Sequence, residues 1–230
     1  MSEAVALKIR FETLLNGPLD WQSRPMAETV PSGIAELDRG APFGPGGLPR
    51  GCLTEIFGPE GSGRASLLVS ILAEATARQE VCALVDAEDS FDPVSAAAAG
   101  VGLDSLLWVR PRHDAEQALK AADLLVQGGG FGVVALDLGG TPPASARRIS
   151  LTSWFRLRRA VEHTPTVLVS VARYSNAKTC ASLQMECARE NAQWSGSTLG
   201  ASRLLRGVRI RATSTHRSKA CSPVFTARAI

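Results

Sequence analysis

The sequence lacks an apolar run of the roughly eighteen residues that a membrane-spanning helix requires. Its N-terminus also lacks the cationic start and apolar centre of a signal peptide, because Glu3 and Glu12 interrupt the stretch MSEAVALKIRFETLL. That stretch has the pattern of an amphipathic helix instead. No tandem repeat or low-complexity tract is present. These absences predict a cytoplasmic protein with no membrane partner.

Paired cysteines are also missing. The five cysteines are odd in number, show no C-x-x-C spacing and do not combine with a histidine at zinc-ligand spacing. Each lies among apolar or small residues, where a free cysteine behaves as a small core side chain. We therefore expect reduced, buried thiols and no metal site built from cysteine.

Acidic residues are scarce in the C-terminal third. Residues 1–146 hold ten basic and nineteen acidic side chains, whereas residues 147–230 hold fifteen basic and three acidic ones. This imbalance suits an anionic partner, either DNA or an acidic protein surface, and a solvated basic face is the alternative. The candidate residues for contacting a nucleic acid or a partner are Arg147, Arg148, Arg156, Arg158, Arg159, Arg173, Lys178, Arg217 and Lys219.

The order of the apolar segments predicts an α/β fold. Strand-like runs such as CLTEIFG, VCALVDAE, GVVALDL and TVLVSVA alternate with helical patterns, and their nearly continuous apolar character indicates a mostly parallel, twisted sheet flanked by helices. The segments ASLQMECARE, GVRIRATSTHR and SPVFTARA alternate apolar and polar residues, which predicts antiparallel strands at the C-terminal side. The 230 residues suit one domain over 31–230, preceded by a helix and connector over 1–30.

The stretch FGPEGSGRASLL lacks the lysine of a phosphate-binding loop. A working loop reads G-x-x-x-x-G-K-[ST], and here Gly58 and Gly63 keep their places while Arg64 replaces lysine and Ala65 replaces the hydroxyl residue. Ser66 lies one position further, about 100° around a helix, and is a poor substitute for that hydroxyl. The surrounding strand, glycine loop and helix are nevertheless those that the motif requires.

Several blocks resemble the RecA recombinases. GGLPRGCLTEIFGPEGSGRASL is similar to the strand and phosphate loop of that family, and ALVDAEDSFDPVSAAAAGVGLDSLLWVRP is similar to the segment that follows it. The resemblance runs from about residue 31 to residue 138 and continues more loosely in TVLVSVA and RSKACSPVFTARA. It implies a RecA-like core that contains a phosphate loop.

The resemblance also implies roles for individual residues. In the family, the loop cradles nucleotide phosphates, and it corresponds here to Gly58, Pro59, Glu60, Gly61, Ser62, Gly63, Arg64, Ala65 and Ser66. Glu88 occupies the position of the water-activating glutamate, Asp137 that of the acid that orients magnesium, and Asp92 a place near the adenine. Arg217 and Lys219 fall near a basic pair that reaches a neighbouring subunit's nucleotide.

The departures from the family pattern concern ATP hydrolysis. Arg64 and Ala65 alter the loop, and Ala172 stands where the family places a glutamine that senses the terminal phosphate. Three outcomes remain open: intact catalysis, residual nucleotide or phosphate binding with weakly held ATP and magnesium as the possible ligands, and a structural remnant in which Arg64 pairs with Asp137 or Glu88. We favour an arginine that fills the phosphate site with its own charge.

In general plan the chain resembles the ImuA group, RecA-like accessory proteins that accompany a polymerase-like protein in bacterial damage-induced mutagenesis. This resemblance implies a non-hydrolysing accessory or scaffold in DNA repair and translesion synthesis, with a RecA-like or polymerase-like partner. DNA itself is a further candidate partner through the basic third. The alternative is an active DNA-dependent ATPase of the RecA family.

Overall fold

The computed structural model describes residues 29–40, 43–196, 204–214 and 222–228. The predicted N-terminal helix, Arg217 and Lys219 lie outside these ranges. Among the described residues, no helix combines the length and the apolar character that crossing a bilayer requires.

A large sheet dominates the described part of the chain. Its eight strands are β1 (Cys52–Phe57), β2 (Cys82–Asp86), β3 (Leu106–Val109), β4 (Val133–Leu138), β5 (Val167–Ala172), β6 (Leu183–Ser195), β7 (Leu204–Ser214) and β8 (Val224–Arg228). The helices are α1 (Ala35–Asp38), α2 (Arg64–Ala77), α3 (Pro93–Ala98), α4 (Ala115–Gly128), α5 (Pro143–Arg148) and α6 (Leu151–Val161). Two small two-stranded sheets precede β1.

The strand order in the large sheet is β8-β7-β6-β1-β5-β4-β2-β3. The six strands from β6 to β3 are parallel to their neighbours, and β7 and β8 add antiparallel pairings at one edge. The predicted α/β class, with antiparallel strands at the C-terminal side, is confirmed. One detail differs: β6 runs parallel to β1 over residues 183–186 and is antiparallel to β7 only.

Both faces of the sheet are covered, as the apolar strands predict. Leu136 of β4 packs with Trp154 and Leu157 of α6 on one face, and its neighbour Ala135 packs with Ile71 of α2 on the other. Successive side chains of a strand point to opposite faces, so one buried strand supplies both layers. The phosphate-loop helix α2 and the basic helix α6 therefore lie on opposite sides of the sheet.

Local signals set several helix ends. The side chain of Asp114 accepts hydrogen bonds from the backbone N–H groups of residues 116 and 117 and forms the N-cap of α4. Gly128 is the last residue of α4, and Gly129 follows it with a positive φ of 69°. The cysteines at positions 52, 82, 180 and 187 are free thiols, three of them buried, as expected for structural cysteines.

Candidate functional site

The loop between β1 and α2 lies at the carboxyl edge of the sheet, where the parallel strands end. In open α/β sheets this edge forms the ligand crevice. Gly63 is the N-cap of α2 at φ 85°, and a side chain there would overlap Ile210 of β7. A side chain at Gly58 would overlap the carbonyl oxygen of Cys187, because β6 continues past the end of β1. The β6–β7 ribbon thus forms one wall of the loop.

Arg64 turns its side chain inward. The guanidinium donates hydrogen bonds to the carbonyl oxygens of Gly58, of Ala172 at 3.4 Å and of Gly139 at 2.7 Å. Those carbonyls follow or end β1, β5 and β4, so one cation connects three strand ends. Arg64 is only 9% exposed. Burial lowers its pKa, while the nearby carboxylates of Asp137 and Glu60 raise it.

Arg64 does not form the predicted ion pair with Asp137 or Glu88 and contacts backbone carbonyls instead. Within the described residues, no ion pair shorter than 4 Å joins Arg64 to either acid. Asp137 instead accepts a hydrogen bond from the backbone N–H of Gly139 at 2.7 Å. Backbone carbonyls that converge at the strand ends accept the hydrogen bonds of the guanidinium. Asp137 interacts with the guanidinium only through longer-range electrostatics.

Asp137 has a perturbed acidity. Burial raises its pKa to about 6, and the neighbouring carboxylates of Asp86 and Glu88 act in the same direction. The Gly139 hydrogen bond and the Arg64 charge oppose this rise. Asp137 is also the residue of this site that would hold a magnesium ion. The surroundings fit that ion poorly, since a guanidinium lies nearby and Ala65 offers no oxygen ligand.

Glu88 has a partner that the sequence did not reveal. Its carboxylate lies 3.0 Å from the Nδ1 atom of His113, which is itself 65% exposed. The Glu88 side chain also borders Gly140 and therefore lies beside the loop that follows Asp137. Both predicted acids therefore lie at one edge of the sheet, where Asp137 is close to Arg64 and Glu88 borders the loop that follows Asp137.

The remaining predicted nucleotide residues have local structural roles or are exposed. Asp92 caps α3 by accepting hydrogen bonds from the backbone N–H groups of residues 94 and 95. Ala65 and Ser66 are exposed on the first turn of α2. Ala172 packs in the core with α4 and α6, so its side chain does not face the loop. The next residue, Arg173, forms a 3.2 Å ion pair with Glu60 of the loop.

The predicted basic residues divide into paired and unpaired groups. Arg156 pairs with Asp123 and Arg158 with Glu162, both at 3.2 Å, while Arg173 pairs with Glu60. Within the described ranges, Arg147, Arg148, Arg159 and Lys178 are exposed and form no ion pair. Trp154 is fully buried, whereas its neighbour Phe155 is 46% exposed, so only Phe155 offers an aromatic ring to the surface of α6.

Two features of this edge escaped sequence reasoning. The first is a groove of about 500 Å³ between α5, the start of α6 and the loop after β5, with Arg147, Tyr174 and Lys178 among its lining residues. The second is Glu55 of β1, a fully buried carboxylate in the motif strand. The acid inside the apolar run CLTEIFG was the available signal for it, since a buried charge requires partners.

Glu55 organises the loop after β5. Its carboxylate accepts hydrogen bonds from the Ser175 hydroxyl at 2.8 Å, from the Gln184 amide at 2.7 Å and from the backbone N–H groups of Asn176 and Ala177 at 2.6 and 2.7 Å. Four donors on one buried carboxylate stabilise the charge without a cation. This network fixes the loop that forms one side of the groove.

The described residues contain no cluster of three or more His, Cys, Asp or Glu side chains arranged to hold a metal ion.

Comparison with known proteins identifies the relatives of this chain. Residues 18–142 match the family model described as the RecA N-terminal domain, which covers more than half of the chain. The chain is 36% identical to the RecA protein of Chloroflexus aurantiacus over 163 residues, which is 65% of this chain and 46% of that protein. It is 46% identical to the RecA protein of Rhodopseudomonas palustris over 110 residues, covering 48% of this chain and 31% of the relative.

A third relative shows the same pattern. The RecA protein of Symbiobacterium thermophilum is 45% identical over 115 residues, which is half of this chain and 32% of that protein. The matched part of the chain thus spans less than half the length of each of these curated relatives.

Proposed function

The chain belongs to the RecA family, and we propose that it is an accessory or scaffold protein of bacterial DNA repair that does not hydrolyse ATP. The proposed setting is damage-induced translesion synthesis in the cytoplasm, beside a RecA-like or polymerase-like partner. We treat residues 31–230 as its single RecA-like domain. The phosphate loop is degenerate in this proposal, and its strand, turn and helix serve as a structural framework.

One observation carries the proposal. The guanidinium of Arg64 donates hydrogen bonds to three backbone carbonyls of the same chain. In working phosphate loops, the lysine at this position reaches the phosphates of the nucleotide instead. A guanidinium held in this way lies among strand ends and is not directed outward as a point charge. Ala65 removes the hydroxyl that binds magnesium in working loops. Phosphoryl transfer depends on positioned charges, so the loss of these two groups argues against turnover.

The test is to restore the loop. We expect calorimetry to detect no micromolar affinity of the wild-type protein for ATP, with or without magnesium. The double variant Arg64→Lys with Ala65→Thr should bind ATP at least tenfold more tightly, by about 1.4 kcal/mol. A matched control is Ala77→Thr with Arg78→Lys, which makes the same exchanges at the last turn of α2 and should change nothing. Micromolar, magnesium-dependent binding by the wild type would contradict the proposal.

A second candidate function is a DNA-dependent ATPase, and the position of Glu88 favours it. Both acids of the family pattern are kept, Glu88 acts electrostatically on Asp137, and its carboxylate lies 3.0 Å from the His113 ring. This alternative predicts phosphate release that single-stranded DNA stimulates and that Glu88→Gln abolishes. Absence of phosphate release from the wild type, or release unchanged in Glu88→Gln, would eliminate it.

DNA binding itself is proposed to be weak and salt-sensitive. Three of the predicted basic residues are paired with acids, which reduces the positive charge available for phosphate contacts. Affinity for a single-stranded oligonucleotide should fall steeply between about 50 and 200 mM salt, because phosphate neutralisation releases counterions. Affinity that stays constant over this range would argue against an electrostatic DNA contact.

A further inference from the structure

The groove beside α5 has an aliphatic lining. Pro143, Ala146, Ile149 and Leu151 contribute to a cavity of about 500 Å³, a volume within the range of ligand-binding pockets. Ala146 and Ile149 are buried, and Leu151 opens the groove to solvent at 45% exposure. A cavity of this size and lining suits one or two apolar side chains of a binding partner.

An apolar patch extends the groove along the protein surface. Leu151 and Phe155 lie four residues apart, on one face of α6, and Phe155 is 46% exposed. Tyr174, on the other side of the groove, is 53% exposed. Adjacent exposed apolar side chains at the mouth of a cavity are characteristic of protein interaction sites.

Only one sign of charge is found at the groove. Its lining residues include Arg147 and Lys178 and no carboxylate, and Arg148 is exposed next to Arg147 on α5. These three cations form no ion pair within the described ranges, unlike Arg156, Arg158 and Arg173. Both cations that line the groove, Arg147 and Lys178, are therefore without a carboxylate partner among the described residues.

One side of the groove is fixed in place. Ser175 and Asn176 line it, and both donate to the buried carboxylate of Glu55. The Ser175 hydroxyl also accepts a hydrogen bond from the Gln184 amide at 2.8 Å. A site held by a buried network is formed before its ligand arrives, which reduces the entropic cost of binding.

We propose that this groove docks a partner protein through an acidic segment that carries an apolar anchor. The anchor enters the aliphatic cavity, and carboxylates on either side of it contact Arg147, Arg148 and Lys178. A nucleic-acid strand fits the observations less well, because single-stranded sites combine several stacking aromatics with a continuous track of cations. Tyr174 is the one aromatic residue among those that line the groove.

This inference names the kind of partner that the proposed accessory function requires, and in that sense rests on it. The two are nevertheless tested separately. The ATP experiments report on the phosphate loop, and the peptide experiments below report on the groove. Failure of peptide binding would leave the nucleotide results unchanged, and the reverse also holds.

The experiment uses the full chain as bait for a random-sequence peptide display library. We expect the selected peptides to combine Asp or Glu with a central Leu, Phe, Ile or Tyr. A fluorescent synthetic copy of the best peptide is then titrated against protein variants by anisotropy. The charge reversal Arg147→Glu with Lys178→Glu should weaken binding at least tenfold, and Leu151→Ser at least threefold.

The control is Lys120→Glu, a charge reversal of an exposed residue on α4 that does not line the groove. It should leave peptide affinity within twofold of the wild type. All substituted positions are exposed, and circular dichroism confirms folding before each titration. Selection of peptides without acidic enrichment, no selection at all, or equal loss in the Lys120→Glu control would overturn the proposal.

Two further arms separate other occupants. A twenty-nucleotide oligothymidine is titrated against the same variants, and the proposal expects it to leave the groove-bound peptide in place. Displacement of the peptide by the oligonucleotide, together with loss of DNA binding in the charge reversal, would assign the groove to nucleic acid and overturn the proposal. Sedimentation of the wild type and the charge reversal is expected to give the same mass, and a dimer lost on reversal would assign the groove to a second copy.

Discussion

The phosphate loop and the groove lie at the carboxyl edge of the same sheet, yet they use charge in opposite ways. In the loop, the cation of Arg64 points inward and is satisfied by backbone carbonyls. In the groove, the cations of Arg147 and Lys178 point outward without a carboxylate partner, and the buried charge beneath is the anion Glu55. The cation of the phosphate loop is thus bound by carbonyls of the same chain, whereas the cations of the groove are exposed and could contact an anionic partner.

In the proposed accessory function, this contrast identifies the surface through which the protein would bind its partner. Losing the lysine of a phosphate loop does not leave an empty crevice, because an arginine is long enough to reach the surrounding carbonyls. The change makes the loop part of the internal structure. In that proposal, partner binding depends on the neighbouring groove, where Arg147, Arg148 and Lys178 form no ion pair within the described residues.

The largest expected effect comes from removing the buried anion. Glu55→Ala should lower the free energy of unfolding by about 3–5 kcal/mol, since it leaves four donors without an acceptor. Urea unfolding followed by circular dichroism measures this loss. Glu162→Ala, which removes a half-exposed carboxylate, serves as the control and should cost less than about 0.5 kcal/mol. Similar losses for the two variants would show that the groove does not depend on the Glu55 network.

An intermediate effect concerns the acid beside the loop. The pKa of Asp137 is raised to about 6 in the folded protein, above its ordinary value of 3.8. The stability gained from the bound proton is therefore complete below pH 3.8 and is lost as the pH rises through 6. Asp137→Asn removes this dependence, so its stability relative to the wild type should grow between pH 4 and 7, by up to about 2 kcal/mol.

Urea unfolding at several pH values measures this difference. Arg64 lowers the pKa of Asp137. In an Arg64→Met background, the growth in relative stability should therefore shift to higher pH. A stability difference that does not change with pH in either background would contradict the electrostatic account of the loop.

The smallest effect is expected at the groove. Arg147→Ala and Lys178→Ala should each change the free energy of unfolding by less than about 0.5 kcal/mol, because neither residue forms an ion pair within the described ranges. Arg156→Ala is the matched comparison and should cost more, about 1 kcal/mol, since it leaves the mostly buried Asp123 without its cation. A large loss at Arg147 or Lys178 would mean that these cations have structural roles.

Much of the fold was predictable from the sequence. The apolar runs placed the strands, and their lack of alternation indicated a sheet buried on both faces. The cap at Asp114 followed from side-chain chemistry within a few residues of the helix start. The parallel pairing of β6 with β1 was not predictable. Alternating apolar and polar residues indicate that one face of a strand is exposed to solvent, but they do not indicate the direction of the neighbouring strand.

The candidate site was predictable only in part. The phosphate-loop motif located Arg64, the resemblance to the RecA family pointed to Glu88 and Asp137, and the structure brings all three to one edge. The partners of these residues were not predictable: three carbonyls for Arg64, His113 for Glu88 and the Gly139 amide for Asp137. The carbonyls of Ala172 and Gly139 reach Arg64 from distant strand ends, and His113 reaches Glu88 from another loop, so no local pattern encodes these contacts.

By itself, the sequence determined the class of fold, the place of the phosphate loop and the absence of a lysine and a hydroxyl from it. These are properties of residue type and order, which act over a turn of helix or a single strand. Only the tertiary structure determined the surroundings of each charged side chain. Arg64 lies among the strand ends, Glu55 is buried under a loop, and Arg147 and Lys178 are exposed to solvent. The physical reason is that a charge is stabilised by whichever groups surround it in space, and those groups come from distant parts of the chain.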